Sequence, residues 1–536
     1  MRTTTNESSS QSLWNRFKIG INKWRLGFIV FALIYAFLVT LDLSKAAMQW
    51  DEVVHLNNGM YLLQGKYEQL SYFYPPFYDG VVMVFFGVLG VSVFSARLVS
   101  VIFSLLSLWA VFELTCKMYN EKIALIATIL IGLFPSYFWL SRAAMIETML
   151  VFFFTTALLL FYNWLLKPQK KMMILCGLTL GLGFLAKYQM IIVAVVMFTA
   201  LIILAKDHLN RIISRFTRLI LTAIAVIAPW IIISYTQYAS GMIDNWIYAL
   251  QMGNPAKLVY SERYLFPIFY FIEMTWPYNM VHPISILIYV VGLLGLCLFA
   301  WRRKREDKLL LTWFVVVYVF FTLIPNKHWR YVMPLFPVLA IAAASSIIFF
   351  YKNAKKTWVY TISVNKRRVA KIATALVTVL VALGVVVSIK DTYDIVTEYQ
   401  IQIDVEGATK YACEDLNQNE SIMLLCPFNF FNQDMVRFYM CAEGTRKNKV
   451  CQYPELPVDS YTPIFNITEF IFLCKQNNVK YVFTYEFGGT VSYYNTTLNL
   501  QQIYLELYDS GNFTHIADDA TFGSNPRRIF VLTFKG

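Results

Sequence analysis

The sequence predicts a polytopic α-helical membrane protein with about eleven spans, one re-entrant or interfacial helix and a C-terminal soluble α/β domain. Three observations carry that prediction. The 536 residues are 58% hydrophobic and only 15% charged, with a mean hydropathy of +0.52, whereas soluble domains run at roughly 45–50% apolar and about 25% charged. The apolar residues fall in runs of the length a bilayer needs, roughly 17–25 residues. The last quarter of the chain abandons that pattern. Disordered, collagen-like and nucleic-acid-binding classes are excluded together, and the net charge of +13 is read as orientation written into basic loops.

The first run, Leu26 to Leu43, follows a polar start and the basic residues Arg16, Lys18, Lys23 and Arg25. Residues 1–25 therefore read as a cytoplasmic N-terminus, and the run as an uncleaved signal anchor. Further runs lie near 96–116, 121–140, 145–166, 172–186, 189–205, 215–236, 280–301, 308–325, 331–351 and 369–389. A segment at about 80–95, behind Pro75-Pro76, is short and glycine-containing. Leaving it out of the spans puts the basic segments 117–122, 167–171, 206–218, 302–308 and 352–371 inside with the N-terminus. Counting it as a span would reverse all of them and expel Arg302-Arg303-Lys304-Arg305, against the positive-inside rule. It is assigned as a re-entrant or interfacial helix within a membrane domain over 26–390.

The parity places residues 391–536 outside. Alternation over Lys480 to Thr484 and Arg528 to Phe534 predicts strands, and Ile467 to Lys475 reads as a helix. Four of five Asn-x-Ser/Thr sequons, at Asn419, Asn466, Asn495 and Asn512, lie in this segment, and the fifth is Asn6 in the inner N-terminus. So do Cys413, Cys426, Cys441, Cys451 and Cys474, for which an oxidising compartment predicts one or two disulfides. No cysteine spacing resembles a zinc site.

Chemistry is expected where ionisable groups meet the membrane, because they are expensive there. Trp50-Asp51-Glu52, followed by His55, stands just outside the first span. These carboxylates suit a general base with an electrostatic partner, or half of a metal site for which Asp51 and Glu147 would be ligands; capping of a helix is the alternative use of Asp51. Ser141-Arg142 and Glu147 form a second outer connection, and an acid at a helix start is also simply favourable to the helix dipole. Lys187 ends a short glycine-rich span, and Asn326-Lys327-His328-Trp329-Arg330-Tyr331 precedes another. Cations beside two acids on one face suit an anionic ligand, a phosphate above all, although Lys and Arg also snorkel at membrane rims. The outer connection 237–279, with Tyr238, Trp246, Tyr248, Tyr260 and Trp276, is expected to cover the site or to form an interfacial aromatic belt.

In order along the chain, Trp-Asp-Glu after the first span, Tyr74-Pro75-Pro76-Phe77, Arg97, Ser141-Arg142 with Glu147, Gly183-Phe184-Leu185-Ala186-Lys187, and Arg330-Tyr331 with Pro334 and Pro337 resemble the protein O-mannosyltransferase and aminoarabinose transferase superfamily. The resemblance covers roughly residues 26–350. It implies a GT-C fold and transfer of a sugar from a polyprenyl-phosphate donor, dolichyl phosphate in the mannosyltransferases, to an acceptor hydroxyl on the outer or luminal face, with inversion. By position, Asp51 would be the base and Glu52 would shape its environment. Arg142, Glu147, Lys187, Lys327, Arg330, Tyr331, His55 and Tyr74 would hold the donor phosphate and substrate. No cofactor beyond the lipid-linked donor is required, and a divalent metal is left open.

The acceptor would be a protein, a glycan or a lipid, so protein mannosylation is one expectation among three. Membrane lipids are partners by necessity. The compartment is expected to be a plasma membrane, with the endoplasmic reticulum as the alternative of identical topology. Two departures from the pattern stand out. Tyr74 or Pro75 occupies the place where many relatives carry a basic residue before the proline, and Glu147 replaces an aspartate. The Trp-Trp-Asp-Tyr-Gly signature of oligosaccharyltransferase catalytic subunits is absent, which disfavours en bloc glycan transfer to asparagine. A multi-span transporter or lipid flippase is the rival reading, weakened by the lack of an internal repeat and by polar residues that sit at outer connections and not at mid-span.

Overall fold

A computed structural model describes residues 22–204, 209–238, 240–251, 274–275, 282–324, 328–360, 364–397, 403–425, 431–442, 448–453, 465–485, 490–493, 496–515, 521–523 and 528–536. The first helix among the described residues is α1 (Lys23–Thr40), started by Asn22, whose side-chain oxygen accepts from the backbone N–H of Trp24 and Arg25 at 3.1 Å each. That cap satisfies two donors a helix start leaves open. Arg25 then pairs with Glu113 and Glu121 at 3.1 Å each, tying α1 to the two helices that carry those acids.

α2 (Trp50–Gln64) and α3 (Phe77–Leu89) follow. α2 ends at Gly65, where φ is +69°, a conformation that costs glycine nothing. α3 has 13 residues, roughly 20 Å at 1.5 Å per residue, short of the ~30 Å hydrocarbon core. Gly90 stops it, and α4 (Val93–Met118) begins after Ser92, whose hydroxyl accepts from Ser95 N–H. This is the segment the charge pattern set aside, and it is a separate short helix packed on α2 and α4.

Among the described residues of this part, the further α-helices are α5 (Glu121–Gly132), α6 (Pro135–Ser141), α7 (Glu147–Leu166), α8 (Lys170–Ala186), α9 (Ile191–Leu204), α10 (Leu209–Tyr238), α11 (Ser240–Gln251), α12 (Ile286–Arg302), α13 (Arg305–Leu323), α14 (Phe336–Tyr360) and α15 (Val364–Thr397). Each of the eleven expected spans has a helix at its place. By length and composition six are long and apolar enough to cross, or seven if α5 and α6, bent by 72° at a break before Pro135, count as one. The shortfall has physical causes: α9 and α12 are short, and α8 and α13 open on charged residues.

Backbones approach closely where glycine allows it. A Cβ on Gly177 would lie 2.5 Å from the Leu219 carbonyl oxygen of α10, and one on Gly295 would overlap the Ala342 backbone of α14. Small residues at such crossings replace the hydrophobic drive that lipid removes.

Residues 403–536 fold around a mixed sheet. β1 (Ser421–Leu425), buried throughout, lies between β2 (Val450–Tyr453) and β3 (Val479–Tyr485), parallel to both. β3 pairs antiparallel with β8 (Ile529–Phe534), which also carries β6 (Phe513–His515) and β7 (Thr521–Phe522); β4 (Thr490–Tyr493) and β5 (Thr496–Asn499) form a separate ribbon. The helices are α16 (Val405–Glu414), α17 (Gln433–Ala442), α18 (Ile467–Gln476) and α19 (Leu500–Asp509). α17 packs on α2. There Asn57 donates to the Asp434 carbonyl at 3.1 Å, and Phe438 meets Phe86 of α3 with ring centroids 6.4 Å apart.

The expected disulfides are not formed among the described residues: Cys413, Cys441, Cys451 and Cys474 are not bridged to one another. They sit on separate helices and strands, two of them buried in apolar surroundings. Cys426 lies outside the described residues, as do Asn6 and Asn495. Asn466 caps α18 through its side-chain oxygen.

Candidate active site

Four connections between helices converge. The 3₁₀ turn Trp329–Leu335 leads into α14 and carries Arg330, which donates through Nη1 to Asp51 Oδ2 at 2.8 Å and lies 4.0 Å from Glu147 Oε1. His328 holds this turn: its Nδ1 accepts from the Arg330 backbone N–H at 3.1 Å. Glu147 Oε1 also accepts from Lys187 Nζ at 2.9 Å, while Oε2, buried, has no hydrogen-bond partner among the described residues. Lys187 lies 5.7 Å over the Tyr331 ring. Asp51 occupies the first turn of α2 and Glu147 is the first residue of α7, so two helix N-termini favour two carboxylates.

Their exposure separates the acids. The Asp51 side chain keeps 35% of its surface, against 3% for Glu147 and 2% for Glu52. Partial burial opposes ionisation of Asp51, but the charge and hydrogen bond of Arg330, aided by Lys187, outweigh it and hold this carboxyl below the usual carboxylate range. Asp51 is therefore ionised at neutral pH and able to accept a proton. It does not cap α2; Gln49 takes that position, its backbone N–H donating to Glu52 Oε1 at 3.1 Å.

Glu52, read from sequence as Asp51's catalytic partner, is placed differently. It forms a two-point ion pair with Arg97, at 2.8 and 3.0 Å, both side chains 2% exposed. Its Oε2 also accepts from Ala144 N–H at 2.7 Å, three residues before Glu147. Arg97 spends its other donors on the carbonyls of Leu43, Ala46 and Ala47. The pair staples the loop leading into α2 to the loop leading into α7. Glu52 thus positions two acids and faces no open space itself.

Arg142 lies apart from the cluster. It donates to the Val39 carbonyl at 2.9 Å and the Leu38 carbonyl at 3.2 Å, closing the C-terminus of α1, where a cation meets the negative end of the helix dipole. It belongs to the end of α1 and not to the Asp51 cluster. Lys327 lies outside the described residues.

His55 and Tyr74 stand behind Asp51. His55 is 1% exposed, its ring 4.8 Å from Tyr74 and 4.9 Å from Tyr78. Its Nδ1 meets Asp79 Oδ1 at 2.6 Å. Asp79 escaped the sequence reading. Its one signal was an acid inside an apolar run directly after the proline pair.

Tyr72 stacks on Trp230 at 5.6 Å, Trp230 Nε1 donates to the Tyr188 hydroxyl at 3.4 Å, and Trp246 of α11 meets Tyr188 edge-on at 5.1 Å. An aromatic wall therefore adjoins Lys187. The side chain of Tyr248, and Tyr260 and Trp276, lie outside the described residues.

Asp51 and Glu147 converge, but on a guanidinium, and no group of three or more His, Cys, Asp or Glu is placed to hold a metal among the described residues.

A family model described as dolichyl-phosphate-mannose-protein mannosyltransferase matches residues 74–233. Among characterised sequences, an undecaprenyl phosphate-alpha-4-amino-4-deoxy-L-arabinose arabinosyl transferase of Photorhabdus laumondii is 25% identical over 281 residues, half of this chain and 48% of that protein. Its namesake in Yersinia pestis is 24% identical over 315 residues, 56% of this chain and 53% of that protein. The chain thus spans about half the length of the curated relatives it matches. The crystal structure of ArnT from Cupriavidus metallidurans superposes over 98% of this chain and 99% of its own, with a TM-score of 0.63 at 14% identity. The chain is a GT-C protein by fold. The same ArnT bound to undecaprenyl phosphate gives a TM-score of 0.64. An archaeal oligosaccharyltransferase, AglB of Archaeoglobus fulgidus, gives 0.54 over 85% of this chain and 69% of its own.

Proposed function

We propose that this chain is an integral membrane glycosyltransferase that moves a sugar from a polyprenyl-phosphate donor to an acceptor hydroxyl on the outer face, with inversion. The observation that carries the reading is the Asp51–Arg330–Glu147–Lys187 cluster, in which the one partly exposed carboxylate is paired with a cation that a phosphate can also engage. Support comes from the GT-C fold, from the family match and from the relatives' names, which specify an undecaprenyl-phosphate-linked sugar.

The cluster suggests an order of events. The donor phosphate enters beside Arg330 and Lys187. A phosphate offers Arg330 a bidentate partner, which loosens its hold on Asp51 and raises the basicity of that carboxylate as substrate binds. Asp51 then takes the proton of the acceptor hydroxyl while its oxygen attacks the anomeric carbon from the face opposite the phosphate. The bond to the phosphate oxygen breaks, and the growing negative charge is met by the two cations. Glu147, with an unpaired buried oxygen, accepts from a sugar hydroxyl. A positioned base supplies roughly 10²–10⁴-fold; no metal is invoked. The aromatic wall at Tyr188, Trp230 and Trp246 suits sugar or prenyl contact. The residues 403–536, resting on α2, would lie on the same outer face of a prokaryotic plasma membrane.

The test is donor turnover by purified protein in nanodiscs, with labelled polyprenyl-phosphate hexose or pentose and a membrane extract as acceptor pool. Wild type should transfer label and Asp51→Asn, equally folded, should not. Equal transfer by both removes Asp51 from the chemistry. Absence of transfer with every donor, together with movement of labelled lipid across liposomes, would turn the reading to a flippase.

A further inference from the structure

A base that accepts a proton must also lose it. Asp51, held beside Arg330, is a poor place for that proton to rest, and the residues of the cluster nearest to it are cations or a paired acid. One turn along the same face of α2 lies His55, at the i+4 position. Helical side chains lean toward the N-terminus, so the imidazole of His55 leans back toward Asp51.

The surroundings of His55 are built. Asp79 and His55 are 4% and 2% exposed at the side chain and 2.6 Å apart. Asp79 Oδ2 accepts from Asn58 Nδ2 at 2.7 Å. Asn58 is itself gripped by Ser71, accepting from its N–H at 2.9 Å and donating to its carbonyl at 3.0 Å. Both oxygens of Asp79 are thereby engaged, and since a carboxylate can only accept, the neutral form of the ring carries its hydrogen on Nδ1 and presents Nε2 as the acceptor. The groups packed against this ring are Tyr78 and Asp79 of α3 and Tyr74 before it, with Asp51 one turn back on α2. Tying α2 to α3 could be done by any hydrogen-bonded pair; an acid-backed imidazole one turn from the base adds a proton acceptor.

We propose that His55, backed by Asp79, is the proton acceptor that clears Asp51 after each transfer. This deepens the glycosyltransferase reading and rests on it. The acceptor O–H bond breaks and its proton goes to Asp51. From Asp51 it passes to Nε2, directly or through one water, leaving an imidazolium paired with the Asp79 carboxylate. The imidazolium releases the proton to water when product leaves. Nothing is oxidised or reduced, and Asp51 is ionised again for the next cycle.

The experiment uses the full-length protein in nanodiscs with labelled polyprenyl-phosphate hexose, comparing wild type, His55→Asn and Asp79→Asn by kcat, donor KM and pH profile, with thermal unfolding of each. Asparagine at 55 keeps a donor for Asp79 but removes the titrating nitrogen. His55→Asn should keep donor KM, lose kcat by about tenfold or more, as expected for a lost proton-transfer group, and lose the imidazole's limb from the acid side of the kcat profile. Asp79→Asn, which takes the counter-ion from the imidazolium, should move that limb to lower pH. If both variants melt like wild type and keep its kcat and profile, the proposal is wrong while the glycosyltransferase reading stands. If kcat falls only in proportion to lost folded protein, with the profile unchanged, the pair is merely structural and the proposal is wrong again. Should wild type and Asp51→Asn both fail with every donor, the function itself fails and this inference goes with it.

Discussion

Arg97 and Glu52 bury a two-point ion pair, at 2.8 and 3.0 Å, between the loop that precedes α2 and the loop that precedes α7. Removing one member leaves the other as an uncompensated buried charge, which costs about 3–5 kcal/mol. Glu52→Gln and Arg97→Met should therefore each lower the unfolding temperature of the purified protein and reduce its yield. Activity per folded molecule should fall as well, since Asp51 and Glu147 both hang from this staple. Unchanged thermal stability in either variant would contradict the assignment.

Asp51→Asn behaves in the opposite way. The side chain is partly exposed and its replacement is isosteric, so the unfolding temperature should stay close to that of wild type while transfer drops roughly 10²–10⁴-fold. Paired turnover and melting measurements separate this variant from Glu52→Gln.

Arg330 sets the acid limb of kcat/KM, which reports the free enzyme. It holds the Asp51 carboxyl low, so the ionised base persists as pH falls and is lost only below that depressed value. Arg330→Met removes the opposing charge, and Asp51 then protonates at higher pH. The acid limb of kcat/KM should move upward, with a raised donor KM. A limb that stays in place would show that Arg330 does not govern the base.

Lys187 is the nearest cation to Glu147. Lys187→Met strands a buried carboxylate with Arg330 as its remaining neighbour at 4.0 Å, and should lower both stability and donor affinity. Adding Glu147→Gln should restore stability in part but not affinity, which a double-mutant cycle of unfolding and donor binding reads directly.

Arg142→Met should cost about 1–3 kcal/mol of stability through the orphaned α1 carbonyls and leave the donor KM unchanged. A raised KM at unchanged stability would return Arg142 to the binding site.

These contrasts mark what the sequence could carry. Apolar run length and basic loops made the helix positions legible, including the break before α4, because both are local properties of the chain. That Asp51, Glu147, Lys187 and Arg330 share one face was legible too, since alternation of inner and outer connections follows from topology. The direction in which a side chain turns was not. Arg142 and Arg330 look alike in sequence, each at an outer connection beside aromatic residues. One turns to helix carbonyls and the other to a carboxylate, a choice made by packing between distant segments. Glu52 adjoins Asp51 in sequence, yet on a helix adjacent residues point about 100° apart, so one meets the cluster and the other the protein interior. Asp79 could not be paired with His55 without knowing that α3 folds back along α2.

The seat of α17 on α2 has a consequence for anyone recombining these proteins. Asn57 donates to the Asp434 carbonyl and Phe86 packs against Phe438, so the helix that presents Asp51 touches the membrane domain on one side and the C-terminal sheet domain on the other. The two halves have a shared seam and are not interchangeable modules. A chimera that borrows the C-terminal half of a relative must also bring matching residues for α2 and α3, or the graft will tilt the helix on which the chemistry depends.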